Sequence, residues 1–147
     1  MKNMQIPSNA KHQRGSMLLE ALIAILIFSM GVLAIVGMQA ASIKNSSESK
    51  YRSDAYLLAN QLIGQMWASD RTATTLQSNF QGGNGTNGTA YTAWVADVQS
   101  ALPGAPANPP SVIVDATGLV TINVYWKAPT DDSTAARHGY ATVAQIQ

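Results

Sequence analysis

Between Ser16 and Arg71 the chain contains no proline, and Ala21–Met38 within that stretch is apolar except for Ser29 and two glycines. Eighteen residues at about 1.5 Å each make about 27 Å of helix, close to the thickness of a bilayer's hydrocarbon core. If the helical pattern runs unbroken to Arg71, the helix is about 84 Å long. A filament or a membrane accommodates such a length; a single domain of 147 residues does not. Glu20 stands at the head of the apolar run. A carboxylate costs about 2.5–3.5 kcal/mol at the centre of a membrane helix, and less near the interface, unless something pairs with it.

The sequence supplies a partner if the chain is cut after Gly15. Ser16 would then carry a free amine one helical turn from Glu20. The fifteen residues before that bond carry Lys2, Lys11 and Arg14 and no acid. The positive-inside rule therefore places the N-terminus in the cytoplasm and the remainder across the membrane. An ordinary secretory signal fits poorly, because its apolar region is about 7–15 residues and ends in a small-x-small site. Here the run leads into Gln39-Ala40-Ala41-Ser42. An ordinary signal anchor does not account for Glu20 or for the place of Gly15.

Arg14-Gly15-Ser16-Met17-Leu18-Leu19-Glu20, with the basic leader before it, resembles the type IV prepilin signature (class III signal peptide). Further along, Ser16–Leu22, the helical continuation Gln39–Trp67 and the segment Leu119–Trp126 followed by Lys127-Ala128-Pro129 resemble PilV-type minor pilins, the type IV pilus modification proteins. That resemblance implies an α+β type IV pilin fold, in which one long N-terminal helix packs on a small antiparallel sheet. It implies cleavage between Gly15 and Ser16 by a prepilin peptidase, N-methylation of Ser16, and an assembly salt bridge made by Glu20. It further implies residence in the inner membrane with a periplasmic C-terminal domain, then in the pilus. The implied partners are other minor pilins, the major pilin and, as a further candidate, a tip adhesin. The expected role is priming or modulating pilus assembly. A minor pseudopilin of a type II secretion system and a single-pass signal-anchor protein with a periplasmic binding domain are the alternatives.

The expected organisation is a leader over 1–15, a membrane or filament-core half-helix over 16–43 and a periplasmic domain over 44–147. In the second helix half, 44–71, Tyr51, Ala55, Leu58, Ala59, Leu62, Ile63, Met66 and Trp67 fall on one side of a helical wheel, with Leu57 alone on the polar arc. Thr72–Ala90 is polar, and its Gly82-Gly83-Asn84-Gly85 and Asn87-Gly88 point to a loop. Thr92–Leu102 has helical spacing of Trp94, Val95, Val98 and Leu102, stopped by Pro103-Gly104. Ala105–Pro110 reads as a stiff connector. Ser111–Asp115 and Leu119–Trp126 form a hairpin around Ala116-Thr117-Gly118, with Val120, Ile122, Val124 and Trp126 on one face. Lys127–Gly139 reads as a loop and Tyr140–Gln147 as the last strand.

Little in the sequence points to chemistry. After the leader the chain holds six basic and eight acidic side chains, a net of −2, with no basic cluster for nucleic acid. Cysteine is absent, and of the two histidines His12 lies in the leader. His138 stands without a nucleophile motif. No catalytic residue, cofactor or metal is expected. Asp131-Asp132 is the densest acidic site, but two adjacent carboxylates fall short of the six to eight oxygens calcium takes, and a solvated loop is the expectation. Many major pilins close a C-terminal loop with a disulfide and carry a proline near the position of Gly37; this chain has neither. Trp67, Trp94 and Trp126 read as core anchors between helix and sheet.

Overall fold

A computed structural model describes residues 13–146, with side chains from residue 15. The expected leader lies outside the described residues as far as position 12. The chain forms two compact units that divide between Ile43 and Lys44. Helix α1, Gln13–Ala68, contributes to both. It begins three residues before the expected Ser16, since Gln13, Arg14 and Gly15 include no helix breaker as strong as proline. It ends at Ala68 rather than Arg71. Ser69 closes the last turn by donating its N–H to the Met66 carbonyl (3.2 Å). Asp70 then takes the Thr72 N–H (3.0 Å) and the Thr75 hydroxyl (3.1 Å), turning the chain into the next element.

From Lys44 onward, α1 is followed by α2 (Ala73–Phe80), α3 (Thr89–Ala101), a 3₁₀ turn (Ala105–Ala107) and strands β1 (Ser111–Val114), β2 (Leu119–Trp126) and β3 (His138–Gln145). The strands form one antiparallel sheet in the order β1-β2-β3. Ile122 pairs with Val112 on one side and Thr142 on the other. The fold is α+β, a long N-terminal apolar helix with a small three-stranded antiparallel sheet, a layout consistent with a pilin-like fold.

The core lies between one stripe of α1 and one face of the sheet. Ala55, Leu58, Ala59, Leu62 and Met66 are buried from the helix, and Val120, Ile122, Val124 and Trp126 from β2. These are the period-3.6 and period-2 sets that the sequence pattern marks. Leu57, on the opposite side of α1, is 62% exposed. Trp94 joins the layers, donating its indole N–H to the Leu58 carbonyl of α1 (2.9 Å) inside the core. The Tyr91 hydroxyl donates to the Pro110 carbonyl (2.6 Å), fixing α3 to the approach to β1.

Several boundaries differ from the sequence reading. The expected loop Thr72–Ala90 contains α2, because Leu76 and Phe80, one turn apart among polar residues, both bury. Two apolar positions are too few to show a period. Helix α3 starts at Thr89, not Thr92, with Gly88 as its extended N-cap. A side chain at Gly88 would collide with the Asn79 carbonyl, so the close approach of α2 to α3 requires glycine. β1 stops at Val114, since Asp115 turns its carboxylate onto the Thr117 and Leu119 N–H groups (2.7 and 2.9 Å). Gly118 completes that turn at φ 79°, where a β-carbon would strike the Ile146 carbonyl. β3 begins at His138 rather than Tyr140, because Gly139 and His138 continue the ladder opposite Tyr125 and Trp126. Trp94 and Trp126 are core anchors, but Trp67 is 47% exposed, with the Arg71 guanidinium 5.7 Å from its ring centre.

Leu62→Ala should lower stability by about 2–5 kcal/mol, the range for a truncated core leucine. Leu57→Ala should stay within about 0.5 kcal/mol of wild type. Thermal unfolding of the full chain in detergent micelles checks both.

Candidate processing and assembly site

Gly15, Ser16 and Glu20 all lie on α1 and are all exposed. Ser16 and Glu20 are four residues apart, so their β-carbons stack on one face about 5–6 Å apart. A carboxylate at Glu20 is therefore within side-chain reach of an amine at residue 16. Glu20 makes no ion pair or hydrogen bond with any other described residue. A β-carbon added at Gly15 meets nothing within 4 Å. Packing among the described residues does not require glycine there. The Gly15–Ser16 bond sits in the first turn of α1.

Beyond Glu20 the helix exposes apolar side chains on every side: Leu22, Ile25, Phe28, Leu33, Val36 and their neighbours through Met38 are open. The Ser29 hydroxyl is satisfied within the helix by the Ile25 carbonyl (2.7 Å). Such a segment brings no unpaired backbone group into hydrocarbon and is long and apolar enough to span a membrane.

In the second unit the structure assembles a charged cluster that the sequence does not announce. His138, at the start of β3, places Nδ1 2.8 Å from Glu48 Oε1 on α1 and Nε2 2.9 Å from Asp131 Oδ2. Only the doubly protonated ring donates to both. Its ring stacks on Trp126 at 5.8 Å between centres. Asp131 also takes Lys44 Nζ (3.3 Å) and the Ala128 N–H (3.1 Å). The expectation of a solvated loop fails here, because the Asp131 side chain is 3% exposed. Asp132 turns away and accepts the Thr134 N–H (3.0 Å). The adjacent carboxylates diverge and do not converge on a common cation position. Glu48 and Asp131 lie far apart in sequence, and no local pattern connects them.

Burial pushes the Asp131 carboxyl up, but hydrogen bonds from His138, Lys44 and the Ala128 N–H outweigh it and hold it below the ordinary 3.8. A depressed carboxylate contributes stability above its unfolded value and loses it as the pH falls. No family model, curated protein or solved structure matches the chain.

The midpoint of thermal unfolding should accordingly drop as the pH is lowered through and below 3.8. Asp131→Asn should be less stable than wild type at neutral pH and show a shallower acid decline. Melting curves of both proteins across pH 2–7 give the comparison.

Proposed function

We propose that the chain is a pilin-class subunit, specifically a PilV-type minor pilin that helps to prime type IV pilus assembly. The single observation that carries this reading is Glu20. Among the described residues it is an unpaired carboxylate on an exposed apolar helix, one turn from the residue that would become the N-terminus after Gly15. Charge in that setting is costly until an amine meets it. A new amine on Ser16, its own or a neighbouring subunit's, is the partner the geometry favours. The apolar helix gathers subunits laterally in the inner membrane, and the domain Lys44–Gln147 selects neighbours by shape. A preformed group of minor pilins would lower the barrier to extracting the first major-pilin subunits.

In this reading prepilin peptidase cuts between Gly15 and Ser16, and the Ser16 amine is methylated. The intact mass of the mature protein should begin at Ser16 with one added methyl group, and a bulky residue at Gly15 should block the cut. A mature protein that retains Met1, or that starts near Ser42, would overturn the reading. Glu20→Gln should leave membrane insertion and cleavage intact while reducing recovery of the subunit from sheared pili. Deleting the retraction motor alongside this protein should restore a few pili of normal length, the mark of defective initiation. Normal pili with a secretion defect would instead indicate a type II secretion pseudopilin.

A further inference from the structure

The outer edge of β3 is open. Ile146 donates its N–H to the Gly118 carbonyl (2.9 Å), which sets the phase of the β2–β3 ladder. Ala144, Thr142 and Tyr140 therefore bond to β2, and Gly139, Ala141, Val143 and Gln145 turn their N–H and C=O groups away from it. No backbone partner for those outward groups occurs among the described residues. The other edge of the sheet differs: Val112 of β1 exchanges two hydrogen bonds with Gly82 (3.1 and 3.0 Å).

Exposed edges are usually blunted by lysine, proline, a bulge or an inward charge. β3 has no lysine, arginine, acid or proline in its eight residues, and its pairing with β2 is continuous from His138 to Gln145. Its outward-facing Val143 is 58% exposed. The inward-facing residues are only half-covered, whereas those of β2 are buried.

The flank of α1 next to this edge carries three apolar side chains, with the exposed Asn60 among them. Tyr56, 52% exposed, meets the ring of Tyr140 on β3 edge-on at 6.0 Å. Ile63 and Trp67 follow Tyr56 seven and eleven residues on, and so share its flank. The sheet thus stops one strand short of the apolar side chains that α1 offers. Arg52 is one turn before Tyr56 on the same flank and makes no ion pair among the described residues.

We propose that β3 is a docking edge for an extended segment of another protein, which adds as a fourth strand and lays alternate apolar side chains on Tyr56, Ile63 and Trp67. Charge complementarity defines the segment: uncharged along the edge, with a carboxylate at the end beside Arg52. A second copy of β3 lacks that carboxylate. The inference does not depend on the pilus reading.

The test uses the full chain in detergent micelles and the synthetic peptide Asp-Thr-Val-Thr-Val-Thr-Val-Thr. Amide exchange at Gly139, Ala141, Val143 and Gln145 should slow by about tenfold or more when the peptide is added. Val143→Pro removes one outward N–H and leaves the β2 ladder untouched, a change edge strands tolerate; it should abolish the slowing. If that variant does not fold, Trp67→Glu, at an exposed position, should weaken the protection. Unchanged exchange would overturn the proposal. So would equal slowing by a peptide of the same composition with its valines clustered. Protection that appears without peptide and grows with protein concentration would overturn it in favour of a second copy.

Discussion

A three-stranded sheet has one apolar face and too little material to cover it, so everything after Lys44 depends on what lies against Val120, Ile122, Val124 and Trp126. The cover is the stripe of α1 formed by Ala55, Leu58, Ala59, Leu62 and Met66. Two alanines in that stripe let the helix backbone approach, and the leucines and Met66 fill the space between. With no cysteine in the chain, no disulfide supplements this contact, and small domains without such staples depend heavily on each buried apolar side chain. Helices α2 and α3 close the end of the same core through Leu76, Phe80, Trp94 and Val98. The Trp94 indole bond to Leu58 sets the position of α3 along α1.

The first unit poses the opposite problem. From Met17 to Met38 the helix has large apolar side chains on every side and buries none of them. Water is a poor solvent for such a surface. Hydrocarbon or the apolar faces of other helices suit it, and the helix already satisfies its own backbone. Glu20 is the exception: the same environment that suits the leucines makes an unpaired carboxylate costly.

The β2–β3 connection shows how polar groups order a segment without regular structure. Asp131 turns inward to Lys44, His138 and the Ala128 N–H, while Asp132 caps its own turn. Lys127 donates to the Ser133 carbonyl (2.7 Å) across the same loop. Through Glu48, His138 ties the start of β3 to α1. β3 is thereby held at its first residue and left open along its outer edge.

The absence of proline and the apolar run marked the long helix, and the glycine marked the Gly118 turn. Periodicity marked the buried stripe of α1, the exposure of Leu57 and the β2 inward face, because there the residue pattern matches the geometric repeat of the element and one side must leave water. The α2 helix, the early start of α3 and the exposure of Trp67 were decided by tertiary packing. Leu76 and Phe80 are too sparse to show a period, and a residue at the margin of a helical stripe is covered only if a neighbour reaches it. Gly15, Ser16 and Glu20 stand out in the sequence because charge and glycine are conspicuous beside an apolar run. The Glu48–His138–Asp131 cluster and the open β3 edge do not. Residues distant in the chain meet only after the sheet has formed, and an edge exists only once the strand order is set.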